Sequence, residues 1–314
     1  MLPKMEMPGH RVRWFLAGIL LCSLFAVVGR AVYEMERFPQ HNLQEQFRSH
    51  VDVAEPFLRS YVENLLKRER DIAERELSAD PIPAPAFDTV VRAFGFEAAV
   101  LTDAASKLLH VYPAKPQAVG TYVGGRYAHL RNALVDGAAI SSVVPSAAIG
   151  APIVGFAVRY RTASGLRVFS GAYDVRMMPL HAYMSNLLAF RGASADLIDA
   201  NGAIVSSNRR AEVRSRELQE VDPSLVAALR AAPGSGTYEG KVRNRIFVQR
   251  AVTSTPWRLV LAVDEQELYA PLGGKRRWLY WGLFAAWCAT TLVTAQLLRR
   301  LYGTPPSLEA RKPL

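Results

Sequence analysis

Ala195-Asp196-Leu197-Ile198-Asp199-Ala200-Asn201-Gly202-Ala203-Ile204-Val205 is the stretch on which the fold turns. Apolar residues flank an Asp-Ala-Asn-Gly run, and Asn-Gly supplies the left-handed backbone that a tight hairpin needs. The stretch predicts strand, turn, strand. Ala98-Ala99-Val100-Leu101-Thr102-Asp103-Ala104-Ala105-Ser106-Lys107-Leu108-Leu109 predicts the same, with Leu-x-Asp-Ala common to both and 96 residues between Leu101 and Leu197.

Each hairpin is followed by a second matching pair. Arg167-Val168-Phe169-Ser170-Gly171-Ala172-Tyr173-Asp174 corresponds to Arg258-Leu259-Val260-Leu261-Ala262-Val263-Asp264. Met178-Pro179-Leu180 then corresponds to Ala270-Pro271-Leu272. Apolar runs at 153–158 and 246–248 complete the sheets. The pattern predicts two tandem α+β modules on antiparallel sheets, 84–182 and 190–270.

Upstream, Phe47, Val51, Ala54, Leu58, Tyr61, Leu65 and Ile72 recur at spacings of four and three among Arg, Glu and Lys. That spacing predicts a long amphipathic helix over about 41–77, within a segment 34–80. Pro56 is expected to kink it or to begin its second half. Its apolar stripe fits packing on its own domain and pairing with a second protomer equally well. Asp80-Pro81-Ile82-Pro83-Ala84-Pro85 follows as a stiff linker.

Two apolar runs bracket this region. Residues 14–33 begin with fifteen uncharged residues and carry only Arg30, which can snorkel to an interface. Residues 278–298 are uncharged, lie between Lys275-Arg276-Arg277 and Arg299-Arg300, and place Trp278, Tyr280 and Trp281 at one end. Each is expected to cross a bilayer as a helix. The basic segments 1–13 and 299–314 then belong in the cytoplasm by the positive-inside rule. The region between is expected to be extracytoplasmic.

The 314 residues include 38 Lys and Arg against 28 Asp and Glu, a formal charge of +10. Much of the excess flanks the apolar runs, so the composition does not describe a phosphate-binding face, and no nucleic-acid partner is expected. Cys22 and Cys288 both lie inside those runs, which leaves no disulfide framework and no Cys-based zinc site.

Catalytic constellations are missing as well. The histidines at 10, 41, 50, 110, 129 and 181 lack ligand spacing, and no Gly-x-Ser-x-Gly elbow occurs. Gly234-Ser235-Gly236-Thr237-Tyr238-Glu239-Gly240 reads as a turn, and Asp196 and Asp199 as turn and fold residues. The expectation is a protein that is not an enzyme and holds no cofactor or metal.

A span, a long helix, two such modules and a second span together resemble the double Cache family of PAS-like extracytoplasmic sensor domains in bacterial receptors. The resemblance covers roughly 33–274. It rests on Leu101-Thr102-Asp103, Leu197-Ile198-Asp199-Ala200-Asn201-Gly202, Gly171-Ala172-Tyr173-Asp174 and Thr255-Pro256-Trp257-Arg258-Leu259. It implies small-molecule binding in the membrane-distal module. The family's amino-acid-binding branch carries Arg-x-Trp-Tyr on the pocket rim and an Asp after the last distal strand. Here the rim is Arg126-Tyr127-Ala128-His129, which keeps the Arg and lacks the aromatic pair, and Asp174 takes the Asp position.

By that resemblance Arg126 and Asp174 face a common pocket lined or rimmed by Tyr127, His129 and Tyr160. The ligand would be an amino acid, amine or carboxylate. Arg126 also fits a solvated helix residue, Asp174 a helix cap, and the tyrosines plain packing residues. A homodimer and a separate signalling protein are the other expected partners. Only sixteen residues follow Leu298, and no output module is expected among them. A split or truncated receptor, and a structural protein of the cell envelope, are the rival readings. A reporter fused at residue 314 is expected to be active only if it works in the cytoplasm; activity confined to an exported reporter refutes the topology.

Overall fold

The computed structural model describes residues 9–188, 190–209, 216–270 and 275–302. Side chains of 9–17, 35–40, 275–280, 298–299 and 301–302 lie outside that description. The described chain forms two units, one of residues 46–268 and one of the two terminal segments.

In the larger unit, helix α1 (Gly9–Glu76) contributes its part from Gln46 onward. Helix α2 (Ala84–Phe94) begins after Pro83 and closes on Gly95, whose φ of 68° suits a residue without Cβ. Strands β1 (Ala98–Asp103) and β2 (Leu108–Tyr112) form the first hairpin. Helix α3 (Ala128–Asp136), strands β3 (Ala138–Ile140), β4 (Val144–Pro145), β5 (Pro152–Thr162) and β6 (Gly165–Asp174), and helix α4 (Leu180–Asn186) follow. The second sheet is built from β7 (Ser194–Ile198), β8 (Ile204–Ser207), β9 (Ser235–Glu239), β10 (Asn244–Ala251) and β11 (Arg258–Asp264). Between β8 and β9 lie α5 (Leu218–Val221) and α6 (Pro223–Ala231), and α7 (Glu265–Leu268) ends the unit.

Both sheets are antiparallel. The first runs β2-β1-β6-β5-β3, with β4 also on β5, and the second runs β8-β7-β11-β10-β9. The orders are equivalent, and so are the turns. Asp103 Oδ1 accepts the N–H groups of Ala105 and Lys107, as Asp199 Oδ1 accepts those of Asn201 and Ala203. Each hairpin also carries a register shift one strand residue before its aspartate, at Leu101/Thr102 and Leu197/Ile198. Two points differ from expectation. Ser235–Glu239, expected as part of a turn, is the edge strand β9 on β10. Counted from the two aspartates, Arg258 matches Val168, and it is Asp264 that matches Asp174.

α1 is continuous through Pro56. The hydrogen bond that proline removes is offset by packing, because Phe47, Val51, Ala54 and Leu58 are fully buried on one side of it. Beyond Leu58 the buried face departs from the expected stripe. Val62, Glu69 and Ala73 are inside, whereas Tyr61, Leu65 and Ile72 are half-buried.

Glu69 is therefore a carboxyl set into an apolar face. Its Oε1 accepts the Gly171 N–H of β6 at 2.9 Å, and Oε2 has no partner among the described residues. Gly171 is required there, since a Cβ would stand 1.9 Å from the Phe96 ring. Burial holds the Glu69 carboxyl well above the usual carboxylate range.

In the terminal unit α1 meets helix α8 (Lys275–Tyr302). Phe25 and Trp287 pack edge to face at 5.1 Å, and Gly29 lies under the Phe284 ring. Both expected spans are helical where described. Among the described residues no helix is long and apolar enough to cross a membrane, and 14–17, 278–280 and 298 lie outside those with described side chains.

Glu69 binds its proton more tightly folded than unfolded, so its contribution is present below the ordinary glutamate value of 4.5 and lost as pH rises through the folded value. Glu69→Gln keeps the acceptor for Gly171 and removes the titration. The variant is expected to melt above the wild type at pH 8, with the gap closing toward pH 4; a pH-independent gap refutes the assignment.

Candidate functional site

Strand pleating sorts the first module into two faces. On β6, Phe169, Gly171 and Tyr173 turn toward α1 and α2: Phe169 packs on Phe87, and the Tyr173 hydroxyl donates to Phe94 O. Val168, Ser170 and Ala172 turn the other way, where Val168 packs with Leu130 and Ala133 of α3. Beside that cluster the second face opens into a cavity of about 290 Å³.

The cavity wall is mostly small and apolar: Ala98 and Val100 of β1, Leu108 and Val111 of β2, Ile153 and Gly155 of β5, and Ala172 of β6. Polar groups come from Thr121, Tyr122, Tyr127, His129, Ser146 and Ser170, and charge from Lys115 and Arg126. Among the described residues no acid lines it. A small apolar pocket with few oriented polar groups is the usual form of a ligand site.

Several contacts shape it. His129, in the first turn of α3, is buried with its Nε2 at 3.3 Å from Ser170 Oγ. The ring sits on bare backbone, because a Cβ at Gly155 would lie 2.7 Å from that nitrogen. Desolvation lowers the imidazole to about 4, so it is neutral at physiological pH. The Tyr127 hydroxyl accepts the Ala147 N–H at 3.0 Å and reaches Pro145 O, while Lys115 Nζ donates to Ala147 O at 2.7 Å. Both side chains thereby hold the lip at 145–148. Arg126, exposed at the mouth, lies with its guanidinium 5.6 Å from the Tyr127 ring centre.

Of the five expected site residues, Arg126, Tyr127 and His129 come together on this cavity. Tyr160 does not. It has the opposite parity to Gly155 on β5, is buried, and donates to Leu77 O at the end of α1. Asp174 shares the parity of Ser170 and Ala172 but is absent from the wall. Its carboxylate is taken by Arg176, which reaches both oxygens and holds it below the usual carboxylate range. Its Oδ1 also accepts the Arg176 N–H, so it acts as a turn cap.

The residues missed were Lys115, Ser146, Gly155 and Ser170. A glycine inside an apolar strand marks a close approach, so Gly155 carried a readable signal. The other three lay in unremarkable sequence.

The second module carries larger side chains at the equivalent positions, and its pocket, of about 570 Å³, lies toward the turn at 199–202 and Trp257. Matched through the two turn aspartates, Ser170 corresponds to Val260 and Gly155 to Phe247. Val260 and Phe247 pack with Leu218, Leu225 and Leu229 of the helices above them. Apolar bulk stands at the positions where the first module has Gly155 and Ser170.

No family model and no curated protein matches this sequence. Solved structures do match the fold. The ligand-binding domain of the Pseudomonas fluorescens chemoreceptor CtaA, solved with L-isoleucine, gives a TM-score of 0.55 at 17% identity, covering 74% of this chain and 98% of that one. The ligand-binding domain of the Pseudomonas aeruginosa chemoreceptor PctC, solved with GABA, gives 0.50 at 19% identity, covering 68% and 96%. That of PctB from the same organism, solved with L-Gln, gives 0.51 at 16%, covering 75% and 94%. The fold is the double Cache sensor fold.

His129 accepts a proton near 6.5 when unfolded and near 4 when folded, so stability is full above 6.5 and falls as pH drops toward 4. The loss amounts to roughly 3 kcal/mol at most. Chemical denaturation from pH 7 to 4 is expected to show a shallower acid limb in His129→Asn. Gly155→Ala is expected to cost about 1–3 kcal/mol by displacing the imidazole. Adding His129→Ala should then cost less than the sum of the single losses; strict additivity refutes the contact.

Proposed function

We propose that this chain is the sensing part of a bacterial receptor: an extracytoplasmic domain that binds a small molecule in the cavity of its membrane-distal module. The observation that carries the proposal is the cavity itself. It opens on one sheet face of a double Cache fold, with Arg126 at its mouth; in the second module Phe247 and Val260 fill the positions equivalent to Gly155 and Ser170, and the pocket there, of about 570 Å³, lies toward the turn at 199–202. Chemoreceptor ligand-binding domains of this fold, solved with L-isoleucine, GABA and L-Gln, support a small polar organic ligand.

The division of labour is part of the proposal. Residues 84–182 bind, residues 190–270 transmit, and no step of catalysis is involved. Two helices, 14–33 and 278–298, anchor the chain in the inner membrane with both ends in the cytoplasm. Exposed Ile19, Leu20, Val27, Leu283, Val293 and Leu297 support lipid contact along these helices. A homodimer and a separate signalling protein complete the scheme.

The test is a thermal-shift screen of the full chain in detergent against amino acids, organic acids and amines. A ligand that binds only the native state raises the melting temperature in proportion to the logarithm of its concentration. One class is expected to do so, and Arg126→Ala is expected to weaken its binding roughly tenfold to a hundredfold while leaving ligand-free stability intact. A silent screen, or a ligand indifferent to both Arg126→Ala and a filled cavity in Ala172→Phe, refutes the reading.

A further inference from the structure

We infer that the cavity is selective for small carboxylates without an ammonium group, short aliphatic acids being the class that fits. The inference rests on the sensor reading and deepens it. Its basis is the inventory of charge around the cavity. Lys115 and Arg126 are the charged side chains on the wall, and both are cationic. Among the described residues Arg126 forms no ion pair, so its planar fork can hold a carboxylate through two parallel hydrogen bonds.

An ammonium group has no comparable partner. Asp174 is the acid whose strand parity aims at this face, and Arg176 occupies both of its oxygens. Glu97 is engaged as well, because its Oε2 accepts the Asp174 N–H. Of the lip carbonyls, Ala147 O already accepts from the Lys115 ammonium, whose charge opposes a second cation there, and Pro145 O is within reach of the Tyr127 hydroxyl. His129 is neutral and pairs with Ser170. A ligand ammonium would leave water for an apolar wall with two cations near the mouth. Unpaired burial of such a charge is among the more expensive events in a binding site.

The interior sets the rest of the ligand. Ala98, Val100, Leu108, Ile153 and Ala172 offer an apolar surface, and a cavity of about 290 Å³ matches a short branched chain rather than an aromatic system. The charged end would face outward at Arg126 and the hydrocarbon inward.

The experiment compares matched probes on the full chain in detergent by calorimetry and thermal shift. The acids are 3-methylbutanoate and 4-methylpentanoate; the controls are valine and leucine, which add an ammonium to the same skeletons, and 3-methylbutylamine, which lacks the carboxylate. Binding of the acids at least tenfold tighter than of valine and leucine, with no response to the amine, is expected. Arg126→Ala should weaken acid binding tenfold or more and Arg126→Lys by less, because an ammonium cannot form the planar pair. Tighter binding of valine or leucine overturns the inference and leaves the sensor reading standing. Silence from all five probes also overturns it, and the sensor reading then falls only if the wider screen is silent too.

Discussion

The architecture of the larger unit depends on a single strand with two different faces. On β6, Gly171 lacks a side chain because Phe96 occupies the space and because the Glu69 carboxyl must reach its N–H. That approach lets α1 lie against the sheet. One residue on either side, Ser170 and Ala172 face the opposite way and line the cavity. The pleat thus couples helix docking and cavity wall through a spacing of one residue. A displaced wall has a short path to α1, the element that leads out of the unit.

The contrast between the two sheets follows from volume at equivalent positions. Their strand order, turn aspartates and hairpin register shifts agree. Gly155 and Ser170 in the first sheet stand where Phe247 and Val260 stand in the second. Phe247 is fully buried against Leu225 and Leu229, so that face is a core. In the first sheet the small residues leave space that α3 and His129 only partly cover. Interiors pack densely, so this space reflects the small residues at those positions.

Charge around the cavity obeys the same local logic. Asp174 could have served the pocket from its position on β6, yet Arg176 lies two residues away and captures it. A carboxylate in a turn binds the nearest guanidinium and backbone N–H before any distant group, since the chain itself keeps them close. The consequence is a wall with two cations and, among the described residues, no acid.

Much of the fold was legible in the chain. Asp-Ala-Asn-Gly and Leu-x-Asp-Ala specify hairpins by local turn chemistry, and apolar spacing of three and four specifies a helix. Such signals depend on neighbours in sequence, so β1, β2, β7, β8 and the body of α1 followed directly. Arg126, Tyr127 and His129 were named from the resemblance to the family's Arg-x-Trp-Tyr rim, and they lie together on the cavity. Tertiary structure decided the rest. The parity that turned Tyr160 to the far face was countable only once Gly155 was known to face the cavity. The capture of Asp174 by Arg176 required the turn geometry. The burial of Glu69 required the sheet that covers it, because nothing in a run of Arg and Glu says which one faces inward. Local chemistry selects the elements; which face each presents, and which charges remain free, depends on partners distant in sequence.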